Sequence, residues 1–129
     1  MKYLLDTNII VDLLRKKGSI SQFILEKGAW LSIISQAELV YGSCKSANPN
    51  KSLEITRNLL SEMDIEILNL NEDIIDEYGR LKAKLEMKGE RLDDFDLLIA
   101  ASAISEKLTL VTRNINHFER VKNLAVVSP

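Results

Sequence analysis

The sequence predicts an α/β fold, a parallel sheet with helices packed on both faces. Two features carry this. Short apolar runs with no internal alternation (Tyr3-Leu4-Leu5, AWLSII at 29–34, TLVT at 109–112, LAVV at 124–127) suit strands buried on both sides. Longer segments with helical spacing separate most of them. The order is strand, helices, strand, helices, strand, helices, strand, short turn, strand. Such alternation calls for parallel strands joined by right-handed crossovers.

Each element has its own signal. The first strand stops at Asp6. Thr7 and Asn8 are helix-starting types ahead of Ile9, Ile10, Leu13 and Leu14. This helix is expected over 8–17, ending in Arg15-Lys16-Lys17-Gly18, cations and then glycine. A second helix over 19–27 sets Ile20, Phe23 and Ile24 on one face and stops at Gly28. The second strand, 29–34, leads through Ser35-Gln36-Ala37-Glu38 into a helix with Leu39 and Val40. A polar loop with Pro49 is expected over 44–50, a helix over 51–63, and a short strand over 65–68.

Asn69-Leu70-Asn71-Glu72 resembles a capping box. The helix behind it runs to Lys88 on a stripe of Ile74, Ile75, Tyr78, Leu81 and Leu85. Its other side, Arg80, Lys84 and Lys88, reads as a solvated face paired with Asp76 and Glu77. After a polar loop at 90–94, a helix over 95–107 carries LLIAASAI and is expected to be buried on most faces. A strand at 109–112, a turn at 113–118 and the last strand at 124–127 finish the chain. There are no repeats and no low-complexity segments.

The 129 residues are expected to form one domain, 1–129. At 46% apolar and 28% charged, the composition is that of a globular chain rather than a disordered one. No apolar run approaches the roughly 18 residues that span a bilayer. The chain opens directly on a strand, so no secretory leader is expected, and the single cysteine, Cys44, fits a reducing cytoplasm. One cysteine and one histidine, His117, exclude a disulfide framework and a Cys/His zinc site within one chain. The net charge of −2 means that any affinity for nucleic acid must come from a local basic patch or from bound cations.

Three acids stand at element junctions: Asp6 after the first strand, Glu38 after the second, and Asp96 at the head of the buried helix. In a parallel sheet the carboxyl ends of strands and the amino ends of the next helices share one edge, the edge where ligands bind. Each acid also has a purely structural reading. Asp6 can cap the first helix. Glu38 can form a capping box with Ser35, with Ile34 and Leu39 as a hydrophobic staple. Asp96 can pair with Asp93 or sit against the helix dipole. Together, however, three uncompensated carboxylates would repel, and a divalent cation is the natural compensation. Mg²⁺ or Mn²⁺ takes oxygen ligands and water, and such a site can activate water against a phosphodiester.

LLDTN, SQAELVYG, DLLIAASA and TRNINHF, in this order and spacing, resemble the PIN domain, and most closely the VapC-type toxins of toxin–antitoxin pairs. The resemblance covers essentially the whole chain. It implies a three-layer α/β/α sandwich with a mostly parallel sheet, acting as a Mg²⁺- or Mn²⁺-dependent endoribonuclease on RNA in the cytoplasm. It also implies a homodimer, an inhibiting antitoxin protein and a heterotetramer or larger assembly with it. Asp6, Glu38 and Asp96 match the family's acidic triad. Asn114 matches a polar position beside the metal. Thr7 and Asn8 match supporting positions, and Thr112 is expected to orient the ligands. Where many relatives carry a fourth acid, this chain has His117, which puts a second metal in doubt. Asp94 is a reserve candidate for Asp96.

On this reading Asp6 and Asp96 hold the metal, directly or through water, Glu38 coordinates it or orients the attacking water and takes its proton, and the products end in 3′-hydroxyl and 5′-phosphate. Arg15, Lys16, Lys45, Arg91 and Arg113, all near loops, are candidate phosphate contacts. Two alternatives belong to other classes. A PIN-like binding module would use its acids only as caps. An Asp-dependent phosphoryl-transfer protein would want a second acid two residues after Asp6, where Asn8 stands.

Overall fold

The computed structural model describes residues 2–129. Its centre is β1 (Tyr3–Leu5), flanked by β2 (Ala29–Ser32) and β4 (Thr109–Val111), with β3 (Glu66–Leu68) and β5 (Val126–Val127) outside them. The order is β3-β2-β1-β4-β5 and every pair is parallel. Leu5 stands opposite Leu31 on one side and Val111 on the other. A strand with two parallel neighbours and helices above and below meets no water, which is why its apolar run does not alternate.

The side chains of β1 divide between two cores. Tyr3 and Leu5 pack with Ile9 and Ile10 of α1 (Thr7–Leu14), Ile24 of α2 (Gln22–Lys27), Leu39 of α3 (Ile33–Cys44) and Leu60 of α4 (Pro49–Glu62). Leu4 points the other way. It packs with Leu81 and Leu85 of α5 (Glu72–Met87), with Leu97, Ile99, Ala100 and Ala103 of α6 (Asp94–Ser105), and with Phe118 of α7 (Ile115–Phe118). Two cores on opposite faces of one sheet make the three-layer sandwich. As expected, α6 is buried nearly all round: Leu97, Ile99, Ala100, Ala101, Ser102 and Ala103 are inaccessible. Among the described residues no helix is long and apolar enough to cross a membrane.

Several boundaries differ from the sequence expectation. The second strand ends at Ser32, and Ile33-Ile34 form the first turn of α3. Ser32 caps that helix, its Oγ accepting from the Ile34 N–H at 3.0 Å. A buried cap outweighs the strand preference of two isoleucines, and Ser35 and Leu39 both lie inside the helix, so neither the Ser35 capping box nor the staple forms. Helix α1 stops at Leu14 and Lys16 takes the left-handed turn (φ 57°), so Arg15 and Lys16 lie just past the helix and Gly18 is not its terminator. Helix α2 starts at Gln22, capped by Ser21. Helix α4 starts at Pro49, inside the expected loop, because proline suits the first helical position and Asn48 caps it. The cap of α5 is Asn71, whose Oδ1 accepts from the Ile74 N–H at 2.9 Å, in place of a box begun by Asn69. Asp93 stands at the N-cap of α6 without a side-chain cap bond.

On α5, Arg80 pairs with Glu77 at 3.7 Å. Lys88 instead lies against Lys122, and this like charge holds its ammonium below the usual lysine range.

Candidate active site

The chain leaves β1 for β2 and β3 on one side and returns across the sheet to β4 and β5 on the other. That reversal opens a crevice at the carboxyl end of β1, the place where α/β sheets bind ligands. Asp6 is the first residue past the strand. Its N–H bonds to the Val111 carbonyl at 2.8 Å, so the sheet ladder holds its backbone. Its carboxylate is nearly buried (6% exposed). Oδ1 accepts from the Thr7 N–H at 2.8 Å and caps α1. Oδ2 accepts from the Thr112 hydroxyl at 2.7 Å. Thr112, fully buried just past β4, in turn accepts from the Asn114 N–H (3.0 Å) and the Asn8 side-chain amide (3.4 Å). The Asn8 oxygen accepts from the Arg113 N–H at 3.4 Å.

Glu38 arrives on the first turns of α3. Its Oε1 accepts from the Thr7 hydroxyl at 2.7 Å, and Thr7 Oγ1 is also 2.8 Å from the Ser35 hydroxyl. An ionised carboxylate only accepts, so the Thr7 hydroxyl proton points to Glu38, with the Ser35 hydroxyl beside it. Asp96, in the first turn of α6, has its Oδ2 2.9 Å from His117 Nε2 on α7. The three acids line one open cavity of about 670 Å³ together with Thr7, Asn8, Asn114 and His117. That is the size of a small-molecule or nucleotide site.

Burial pushes the carboxyls of Asp6 and Glu38 above the ordinary carboxylate range. The hydrogen bonds from Thr112 and Thr7 offset part of this, while the neighbouring carboxylates, Asp96 among them, add to it. Negative charge is therefore concentrated here against its electrostatic preference, the pattern expected of a functional site. Among the described residues no three acids or histidines close round one point tightly enough to grip an ion unaided. The donors still suit a hard cation that keeps part of its water shell. They are all oxygens, they repel one another, and among the described residues nothing donates to Asp96 Oδ1 or Glu38 Oε2.

The remaining candidates are dispersed. Arg113 lines the cavity, with its guanidinium 3.1 Å from Asp12 Oδ1. Arg91 lines an adjoining depression that shares His117 with the first, and its carbonyl accepts from Arg120 at 2.7 Å. Arg15, Lys16 and Lys45 are exposed and outside the cavity wall, with Lys45 stacked over the Tyr41 ring at 4.6 Å. Asp94 faces away from the triad and accepts from Lys82 (2.8 Å) and Tyr78 (2.9 Å), which hold its carboxyl below the usual range. Sequence reasoning missed two contributors. Ser35 lies one helical turn before Glu38, and that spacing is the only signal it leaves. Asp12, the partner of Arg113, leaves none, because the two are brought together only by the fold.

Replacing Thr112 by valine keeps the shape and removes the donor to Asp6. The expected cost is about 1–3 kcal/mol, because a buried carboxylate loses a hydrogen bond. Urea denaturation at neutral pH reads this, and an unchanged midpoint would show that Thr112 does not support Asp6.

A PIN domain model matches residues 3–124. The ribonuclease VapC2 of Haemophilus influenzae is 36% identical over 124 residues, which are 94% of this chain and 92% of that one. The tRNA(fMet)-specific endonuclease VapC of Shigella flexneri is 32% identical over 127 residues, 96% of this chain and 95% of that one. Among solved structures, a chain of VapBC2 from Rickettsia felis, determined bound to a DNA fragment from its promoter, superposes with a TM-score of 0.89. It is 36% identical and covers 99% of this chain and 98% of that one. By architecture and by sequence over nearly its full length, the chain belongs to the PIN domain family, in its VapC ribonuclease branch.

Proposed function

We propose that this chain, working as one domain over 1–129, is the toxin of a toxin–antitoxin pair and an endoribonuclease that hydrolyses RNA phosphodiester bonds with Mg²⁺ or Mn²⁺. The observation that carries the reading is the convergence of Asp6, Glu38 and Asp96 in one cavity. Asp6 and Asp96 would hold the cation. When bound, the cation would polarise the phosphate and lower the pKa of attacking water. Thr112 keeps Asp6 aimed, and Thr7 keeps Glu38 in place, its Oε2 left to orient a water and accept its proton. Attack by water needs no ribose 2′-hydroxyl, so preference for RNA rests on groove contacts, with Arg113 and Asn114 in the wall of the same cavity.

The reading in which the acids are only caps loses its support at Glu38. Asp6 does cap α1 and Asp96 does sit in the first turn of α6, but Glu38 bonds to Thr7 instead of capping a helix, and Asp96 also bonds to His117. Solved relatives include a toxin–antitoxin complex 28% identical to this chain, which supports an antitoxin partner here. Tyr41 and Ile55, exposed on α3 and α4, mark an apolar surface available to a second copy or to that partner, in a homodimer, a heterotetramer or a larger assembly. The exposed free thiol of Cys44 accords with a cytoplasmic setting.

The test needs no knowledge of the RNA. Mn²⁺ titrated into the purified protein raises its melting temperature by mass action, and the rise disappears in Asp6→Asn/Asp96→Asn. No response of the wild type at millimolar Mn²⁺ would leave the binding-module reading ahead.

A further inference from the structure

Each acid of the triad has part of its oxygen capacity already in use. Asp6 accepts at both oxygens, from Thr7 and Thr112. Glu38 accepts at Oε1. Asp96 Oδ2 is taken by His117. The free sites are Asp96 Oδ1, Glu38 Oε2 and the second lone pairs of Asp6. The histidine is not loosely placed. Its ring meets the buried Phe118 edge-on at 5.2 Å between centroids, and Phe118 anchors α7 in the core.

We propose that His117 is a positioning residue: it takes up one oxygen of Asp96, holding that carboxylate for a single divalent cation, and, being no acid itself, it leaves the site short of the charge and donors that a second cation needs. The inference rests on the metal-dependent reading above and makes it quantitative. A hard cation that keeps part of its water shell would be held by these oxygens directly or through water. A second cation would need donors of its own on the Asp96 side, where the imidazole N–H already occupies Oδ2. Charge gives the same answer. Three carboxylates exceed the charge of one divalent ion but fall short of that of two. Among the described residues no other acid lines this cavity.

The experiment counts Mn²⁺ bound to the intact protein by the electron paramagnetic resonance signal of the free ion, with circular dichroism confirming that each variant is folded. The wild type binds one equivalent. His117→Gln, whose amide can also donate to Asp96, binds one equivalent at similar affinity. His117→Ala binds one equivalent about 10-fold more weakly, the lower end of what loss of an outer hydrogen-bond partner does to metal sites. His117→Glu frees the oxygen, adds a carboxylate and binds a second equivalent. Two equivalents in the wild type, one in His117→Glu, or undiminished affinity in His117→Ala would each overturn the inference while leaving the metal-dependent nuclease standing. A wild type that binds no Mn²⁺ would overturn both.

Discussion

Asp6→Asn is expected to lower kcat for RNA cleavage by more than about 100-fold, since even outer-shell changes at metal sites reach that range. It is also expected to raise the melting temperature at neutral pH in the presence of a chelator. Both effects have one origin. The Asp6 carboxylate is nearly buried, and burial is the largest influence on it, pushing its carboxyl above the ordinary value. Between the unfolded value, near about 4, and the raised native one, the native state holds a proton that the unfolded chain has released. Stability therefore falls as pH rises through that window. Asparagine has the same shape and no charge to desolvate, and its oxygen can still accept from the Thr7 N–H. The stability gap over wild type should therefore widen from acidic to neutral pH. Thermal melts across that range in chelator read it directly. A variant less stable than wild type at neutral pH would mean that the hydrogen bonds from Thr7 and Thr112 outweigh the cost of burying the charge.

Phe118→Ala is expected to cost about 3–5 kcal/mol, the usual range for a buried aromatic. Against a total stability of about 5–15 kcal/mol for a domain, this is a large fraction. Phe118 is 1% exposed and belongs to the core built by Leu4, Leu97, Leu110 and Val121. The four residues of α7 form a single turn that cannot stand on its own hydrogen bonds. Its place beside the site depends on this side chain, and His117 loses its ring partner with it. Urea denaturation reads the loss. A midpoint shift equivalent to less than about 1 kcal/mol, against the expected range, would mean that α7 is held chiefly by Val121 and its backbone.

Sequence by itself determined the α/β class, the alternation of elements, the buried character of α6 and the three acids at element junctions. These are local or periodic properties. An apolar run with no alternation, a helical stripe, or an acid after a strand each survives in one dimension, because burial on both faces, burial on one face and a shared sheet edge follow from element type and order. Helix starts were less legible. Ser32 and Asn71 became the caps in competition with Ser35 and Asn69, and Asn48 started its helix inside the expected loop; that choice depends on which side chain the packed core leaves facing the helix end. Tertiary structure alone decided the partners of the acids: Thr112 on Asp6 from 106 positions away, Thr7 on Glu38 from 31, and His117 on Asp96 from 21. It also separated Asp96 from Asp94, two residues apart, by turning one toward His117 and the other toward Lys82 and Tyr78. Contacts of this kind are made when a sheet order reverses and brings four loops to one edge, and nothing in a linear sequence encodes the distance between residues that only the packed sheet sets side by side.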